Sequence, residues 1–91
     1  MQFMVVERFR NGAKPVYRRF AEKGRMLPDG LVFVNSWVQD DLSRCFQLME
    51  CEDAALLKTW AGNWSDLIDF EFVAVVSSET ANALAEQNHG R

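Results

Sequence analysis

The stretch LVFVNSWVQDDLSRCFQLMEC (residues 31–51) holds two strand-length hydrophobic runs with only a short polar turn between them. Leu31–Gln39 and Cys45–Cys51 are rich in Val, Phe and Trp and too short for stable helices, so each reads as a strand. A turn around Asp40, Asp41 and Leu42 joins them as an antiparallel hairpin. Centred on Asp41, that turn sets Trp37 opposite Cys45, Asn35 opposite Gln47 and Phe33 opposite Met49. A slip of one residue would move every side chain of a strand to the other face.

On the N-terminal side of the hairpin, Phe3–Phe9 alternates in strand fashion and Asn11-Gly12 turns the chain. Pro15 suits the first turn of a helix, Val16, Tyr17 and Phe20 fall at helical spacing, and Gly24 suits its end. Pro28-Asp29-Gly30 then marks a turn into the hairpin. On the C-terminal side Asp53 is placed to cap a helix whose Leu56, Trp60 and Trp64 recur every four residues, with Leu57 beside them. Core packing is the expected role of that stripe. A fourth strand, Ile68–Val76, follows. The order β-α-β-β-α-β is the split-βαβ, ferredoxin-like arrangement, an α+β fold with a four-stranded antiparallel sheet of predicted order 4-1-3-2. Ser77 or Ser78 is placed to cap a further Ala-rich helix, Glu79–Gln87, too short to be stable unless it docks. The expected division is a ferredoxin-like domain over residues 1–76 and a helical tail over residues 77–91.

Ninety-one residues make one small domain, yet 48% are hydrophobic and 12% aromatic. That supply exceeds what so small a core absorbs and leaves apolar surface for a second subunit or a ligand. The net charge of −3 argues against general nucleic-acid binding. Residues 1–25 are locally basic, +5, and the rest locally acidic, −8. The basic segment reads either as an anion-recognising face or as a solvated helix facing acidic neighbours in the same chain or in a second subunit.

Parity along the strands separates two faces. The expected helix-covered face carries Val32, Val34, Ser36 and Val38 with Phe46 and Leu48. The expected open face carries Phe33, Asn35 and Trp37 with Cys45, Gln47, Met49 and Cys51, joined by Glu7 or Arg8 depending on register. Amides mixed with large apolar groups suit a ligand pocket in which Asn35, Gln47, Trp37 and Glu7 orient a small apolar or aromatic molecule. The same face suits a sheet-to-sheet dimer interface whose amides satisfy one another.

Familiar catalytic constellations are lacking. The single histidine, His89, stands near the end of the sequence, where mobility is expected, so no Ser/His or Cys/His pair is placed. Cys45 and Cys51 lie about 20 Å apart along one strand, too far for a disulfide and without zinc spacing. Glu50, Glu52 and Asp53, and likewise Asp66, Asp69 and Glu71, lack ligand-like spacing, so no metal is expected. The five glycines form no phosphate-binding loop, and no cofactor is expected. Charge at Glu7 and Arg8 arrives too early for a secretory leader, and no apolar run is long enough to span a bilayer. A cytoplasmic location is the expectation.

Four stretches carry a resemblance: Met4–Phe9, Gly24–Leu31, Arg44–Glu50 and Trp64–Glu71. In these the chain resembles a family of small uncharacterised bacterial proteins, a domain of unknown function. That family is similar to the dimeric α/β-barrel superfamily, in which two ferredoxin-like protomers pack sheet against sheet. The resemblance implies a homodimer and supplies no catalytic residues. The superfamily includes cofactor-independent monooxygenases, haem-degrading enzymes, isomerases and binding proteins. Haem ligation there draws on a histidine within the fold, where this chain offers only His89. The leading expectation is a homodimeric small-molecule-binding protein. The alternatives are a cofactor-independent monooxygenase- or isomerase-like enzyme and a protein-interaction module.

Overall fold

Alternation along the first strand sends Phe3, Val5 and Glu7 to a buried face, while Met4 and Val6 sit half-buried and Arg8 exposed on the other. The structure, a computed structural model, describes residues 1–87. Its elements are β1 (Gln2–Phe9), α1 (Ala13–Lys23), β2 (Val32–Val38), β3 (Arg44–Glu50), α2 (Ala55–Ala61), β4 (Ile68–Val75) and α3 (Ser78–Gln87). The four strands form one antiparallel sheet of order β2-β3-β1-β4, the ferredoxin-like α+β arrangement expected from the sequence.

The hairpin departs from its expected register. Val38 pairs with Cys45, Trp37 with Phe46, Ser36 with Gln47 and Asn35 with Leu48. The expected pairs Trp37–Cys45 and Asn35–Gln47 are therefore one residue out. Two local features cause this. The turn spans residues 40–43, with Leu42 at φ 64° and Asp41 accepting hydrogen bonds from the Ser43 backbone N–H and hydroxyl. The loop is thus one residue longer than a turn centred on Asp41. An irregularity at Val34 then absorbs the extra residue, so Phe33 does pair with Met49.

The slip joins Ser36 and Val38 of β2 to the face of Cys45 and Gln47. Helices α1 and α2 cover the side carrying Cys45, Gln47 and Met49, not the side carrying Phe46 and Leu48 as expected. Phe33, Ser36 and Val38 accompany them from β2. The core packs Phe3, Val5 and Met49 beneath Val16 of α1 and Leu57 and Trp60 of α2, with Trp64 and Ile68 alongside. Trp60 meets Phe70 edge to face at 5.5 Å, and Phe70 stacks on Phe72 at 5.8 Å. The tryptophan stripe is thus core, although α2 ends at Ala61 and Trp64 follows in a turn. Asp53 accepts the Ala55 N–H at 3.0 Å and steadies the helix start from one position before the flanking residue. Ser77 caps α3 by accepting the Thr80 N–H, and no residue of α3 is buried. No helix among the described residues is long and apolar enough to cross a membrane.

Candidate functional site

Glu7 lies toward the C-terminal end of β1 on the helix-covered face, where its alternation partners Phe3 and Val5 are core residues. It is 3% exposed, and its neighbour Gln47 on β3 is 6% exposed. A buried carboxyl is costly unless a partner meets it. Here Gln47 Nε2 donates to Glu7 Oε2, and Gln47 Oε1 accepts from Arg25 Nε at 3.1 Å. The amide therefore stands between a carboxyl and a guanidinium, with its orientation fixed by both. Burial pushes the Glu7 carboxyl up to about 7, and the Gln47 hydrogen bond and the Arg25 charge oppose that rise only in part.

Arg25 reaches this position because the link between α1 and β2 is pinned. Its carbonyl accepts both indole N–H groups, Trp60 at 3.0 Å and Trp64 at 3.1 Å. Asn63 Nδ2 donates to the next carbonyl, that of Met26. The guanidinium lies 3.6 Å from the centre of the Phe33 ring and 5.2 Å from that of Phe20. Gly24 aims the link: its φ of 66° and ψ of −159° belong to a region open almost only to glycine. A Cβ there would meet nothing within 4 Å, so Gly24→Ala isolates the backbone strain. That substitution is expected to cost about 1–3 kcal/mol in urea unfolding at unchanged slope. A loss of only a few tenths would contradict the strained-link account.

Over Glu7 and Gln47, between α1 and the sheet, is a cavity of about 220 Å³. Phe9, Val16, Phe20, Trp60, Trp64 and Ile68 give it apolar walls, while Glu7, Gln47, Arg25, Ser36, Cys45 and Tyr17 bring polar atoms. Burial and the neighbouring Glu7 push the Cys45 thiol up to about 12, so it stays protonated and is a poor nucleophile. Burial likewise raises the Tyr17 phenol, with Cys45 and Glu7 adding to the effect. The polar group able to exchange a proton near neutrality is Glu7.

Of the residues singled out in the sequence, Glu7 and Gln47 come together at the cavity floor. Asn35 and Trp37 lie on the opposite, open face with Leu48 and Phe46. Asn35 Oδ1 accepts the N–H of Ser36, and Trp37 is 51% exposed. His89 lies outside the described residues. Among the described residues, no three His, Cys, Asp or Glu side chains gather as a metal-binding group. Sequence reasoning missed Arg25, Tyr17 and Cys45 as cavity residues. Cys45 did carry a signal, its strand parity with Gln47, whereas nothing in the sequence brings Arg25 or Tyr17 to the cavity.

Fold and site together define a ferredoxin-like α+β domain with a helix-covered cavity built on a buried carboxyl–amide–guanidinium chain. The chain belongs to the family described as Domain of unknown function (DUF3303), whose model matches residues 1–89. No curated protein and no solved structure matches the chain.

Proposed function

We propose that this protein is a homodimeric small-molecule-binding protein of the dimeric α/β-barrel type, with one ligand site per protomer in the cavity between α1 and the sheet. The observation that carries the ligand reading is the Glu7–Gln47–Arg25 chain at the floor of a largely apolar cavity of about 220 Å³. A carboxyl kept in such surroundings costs stability, a cost commonly met where a polar group serves a ligand. A thermal-shift screen against a library of single-ring compounds tests this. Stabilisation by a subset that competes for one site is expected, and a library without effect removes the reading.

The dimer reading rests on the open face of the sheet. Met4, Val6, Phe46, Leu48 and Val73 make an apolar centre with Trp37 at its side, and Arg8, Arg44, Asp69 and Glu71 bring charge to the same face. Such a surface suits a second copy related by a two-fold axis. Native mass spectrometry is expected to give a dimer, and Phe46→Glu, which sets a charge in that centre, a folded monomer. A wild-type monomer, or a dimer indifferent to Phe46→Glu, would contradict it.

One observation favours an isomerase-like enzyme as a second reading: the Glu7 carboxyl borders the cavity, and burial raises it to about 7, within reach of proton transfer at neutral pH.

A further inference from the structure

We infer that the cavity takes a neutral, single-ring-sized molecule bearing a hydroxyl, a phenol or an enol, which donates its O–H to Glu7; this rests on the ligand-site reading above. Three observations select that class. The first is charge. Glu7 and Arg25 both border the cavity, so a ligand of either charge is repelled by one of them as it is drawn by the other and gains no net attraction. The walls are largely apolar, and in such a medium neither repulsion is well screened. A neutral molecule avoids both.

The second is hydrogen-bonding capacity. Gln47 is held at both ends, Nε2 to Glu7 Oε2 and Oε1 to Arg25 Nε, so its orientation is fixed and only its second Nε2 hydrogen and second Oε1 lone pair remain for a ligand. Glu7 Oε1, by contrast, accepts no hydrogen bond among the described residues, and its side chain borders the cavity. An ionised carboxylate accepts only, so a ligand that meets Oε1 must bring a donor. The groups facing Glu7 from the packed elements do not fill that role. Tyr17 of α1 and Cys45 of β3 border the same cavity but make no hydrogen bond to Glu7. From β4 and the α2 region come Phe70, Ile68, Trp60 and Trp64, and from β2 Ser36 and Val38. Arg25 of the link is held on Gln47 and the Phe33 ring.

The third is shape. The volume of about 220 Å³ falls below the roughly 300–1,000 Å³ of drug-sized sites, and aromatic side chains on several sides suit a flat ring. A hydrogen bond to a buried ionised carboxylate separates a hydroxyl compound from its methyl isostere by about tenfold or more.

Isothermal titration with para-cresol, para-xylene, benzylamine and benzoate tests the inference, since the first two differ only by hydroxyl for methyl. Above pH ~7.5, para-cresol is expected to bind about tenfold or more tightly than each of the others. The preference over para-xylene is expected to shrink near pH ~5, where Glu7 takes up a proton, and to fall to about threefold or less in Glu7→Leu. Should Glu7→Leu not fold, Glu7→Gln keeps an acceptor for Gln47 while removing the charge, and its preference is expected to be reduced and independent of pH. Para-xylene binding as well as para-cresol, tighter binding of benzylamine or benzoate, or an undiminished preference in the Glu7 variants would overturn the hydroxyl inference and leave the cavity as a ligand site. Failure of all four probes to bind would bring down the ligand-site reading and this inference with it.

Discussion

Trp60→Ala is expected to remove about 3–5 kcal/mol of folding free energy, the cost of deleting a large buried aromatic from a close-packed core. Trp60 is 2% exposed, sits edge to face against Phe70, and donates its indole N–H to the carbonyl of Arg25. The substitution leaves a void above β1 and frees one of the two indole donors that hold the α1–β2 link. For a domain of this size, with total stability of about 5–15 kcal/mol, the melting temperature should fall by about 15–30 °C. Trp37→Ala is the contrasting control: at 51% exposure its removal from a protomer should cost no more than about 1 kcal/mol. Urea unfolding of both variants reads the difference. Equal losses would mean that the two faces of the sheet are assigned the wrong way round.

Glu7→Gln is expected to stabilise the protein at alkaline pH and to do little in acid. The carboxyl titrates at about 7 in the folded chain and near its ordinary value when unfolded. Folding therefore favours its neutral form, a contribution fully present below about pH 4.5 and lost as the pH rises through about 7. The whole excursion amounts to about 3 kcal/mol. Glu7→Gln keeps a hydrogen-bond acceptor for Gln47 without the charge, so its advantage over wild type should grow across that window. The comparison must be between variant and wild type at each pH, because other groups slope the opposite way. Arg19 holds the Asp66 carboxyl down at about 2, so that pair contributes stability that is lost in acid. An advantage of Glu7→Gln that is the same at pH ~5 and pH ~8.5 would contradict the buried-carboxyl account.

The succession of elements was legible because each rests on local chemistry. Phe3–Phe9 alternates, Val16 and Phe20 fall on one helical face, Gly24 stops the helix, and residues 31–51 leave no room for anything but a hairpin. Register was not, because it depended on two single-residue events. Leu42 adopts a left-handed conformation that nothing in an Asp-Asp-Leu-Ser sequence announces, and Val34 bulges out of a run of otherwise ordinary strand residues. The choice of covered face was equally hidden, since Phe46 and Leu48 on one side are as apolar as Cys45 and Met49 on the other. Parity separates two faces without saying which of them receives the helices.

The site was half legible for the same reasons. Glu7 and Gln47 interrupt apolar runs on central strands, and a polar residue at a core position is the signal that finds them. Asn35 and Trp37 were joined to them through a register that the four-residue turn shifts. Arg25 could not be placed from the sequence, because it reaches Gln47 only through a link held by Gly24 and by two indoles, Trp60 of α2 and Trp64 just after it.

The three tryptophans offer the most direct test of where a ligand sits, because Trp60 and Trp64 border the cavity while Trp37 lies on the open face. The measurement is a two-dimensional proton–nitrogen spectrum of the nitrogen-15-labelled full chain, titrated with para-cresol. The indole N–H signals of Trp60 and Trp64, and the Gln47 side-chain amide, are predicted to shift together and saturate, with that of Trp37 unmoved. A saturating shift of Trp37 while Trp60, Trp64 and Gln47 stay fixed would place the ligand on the open face and contradict the account.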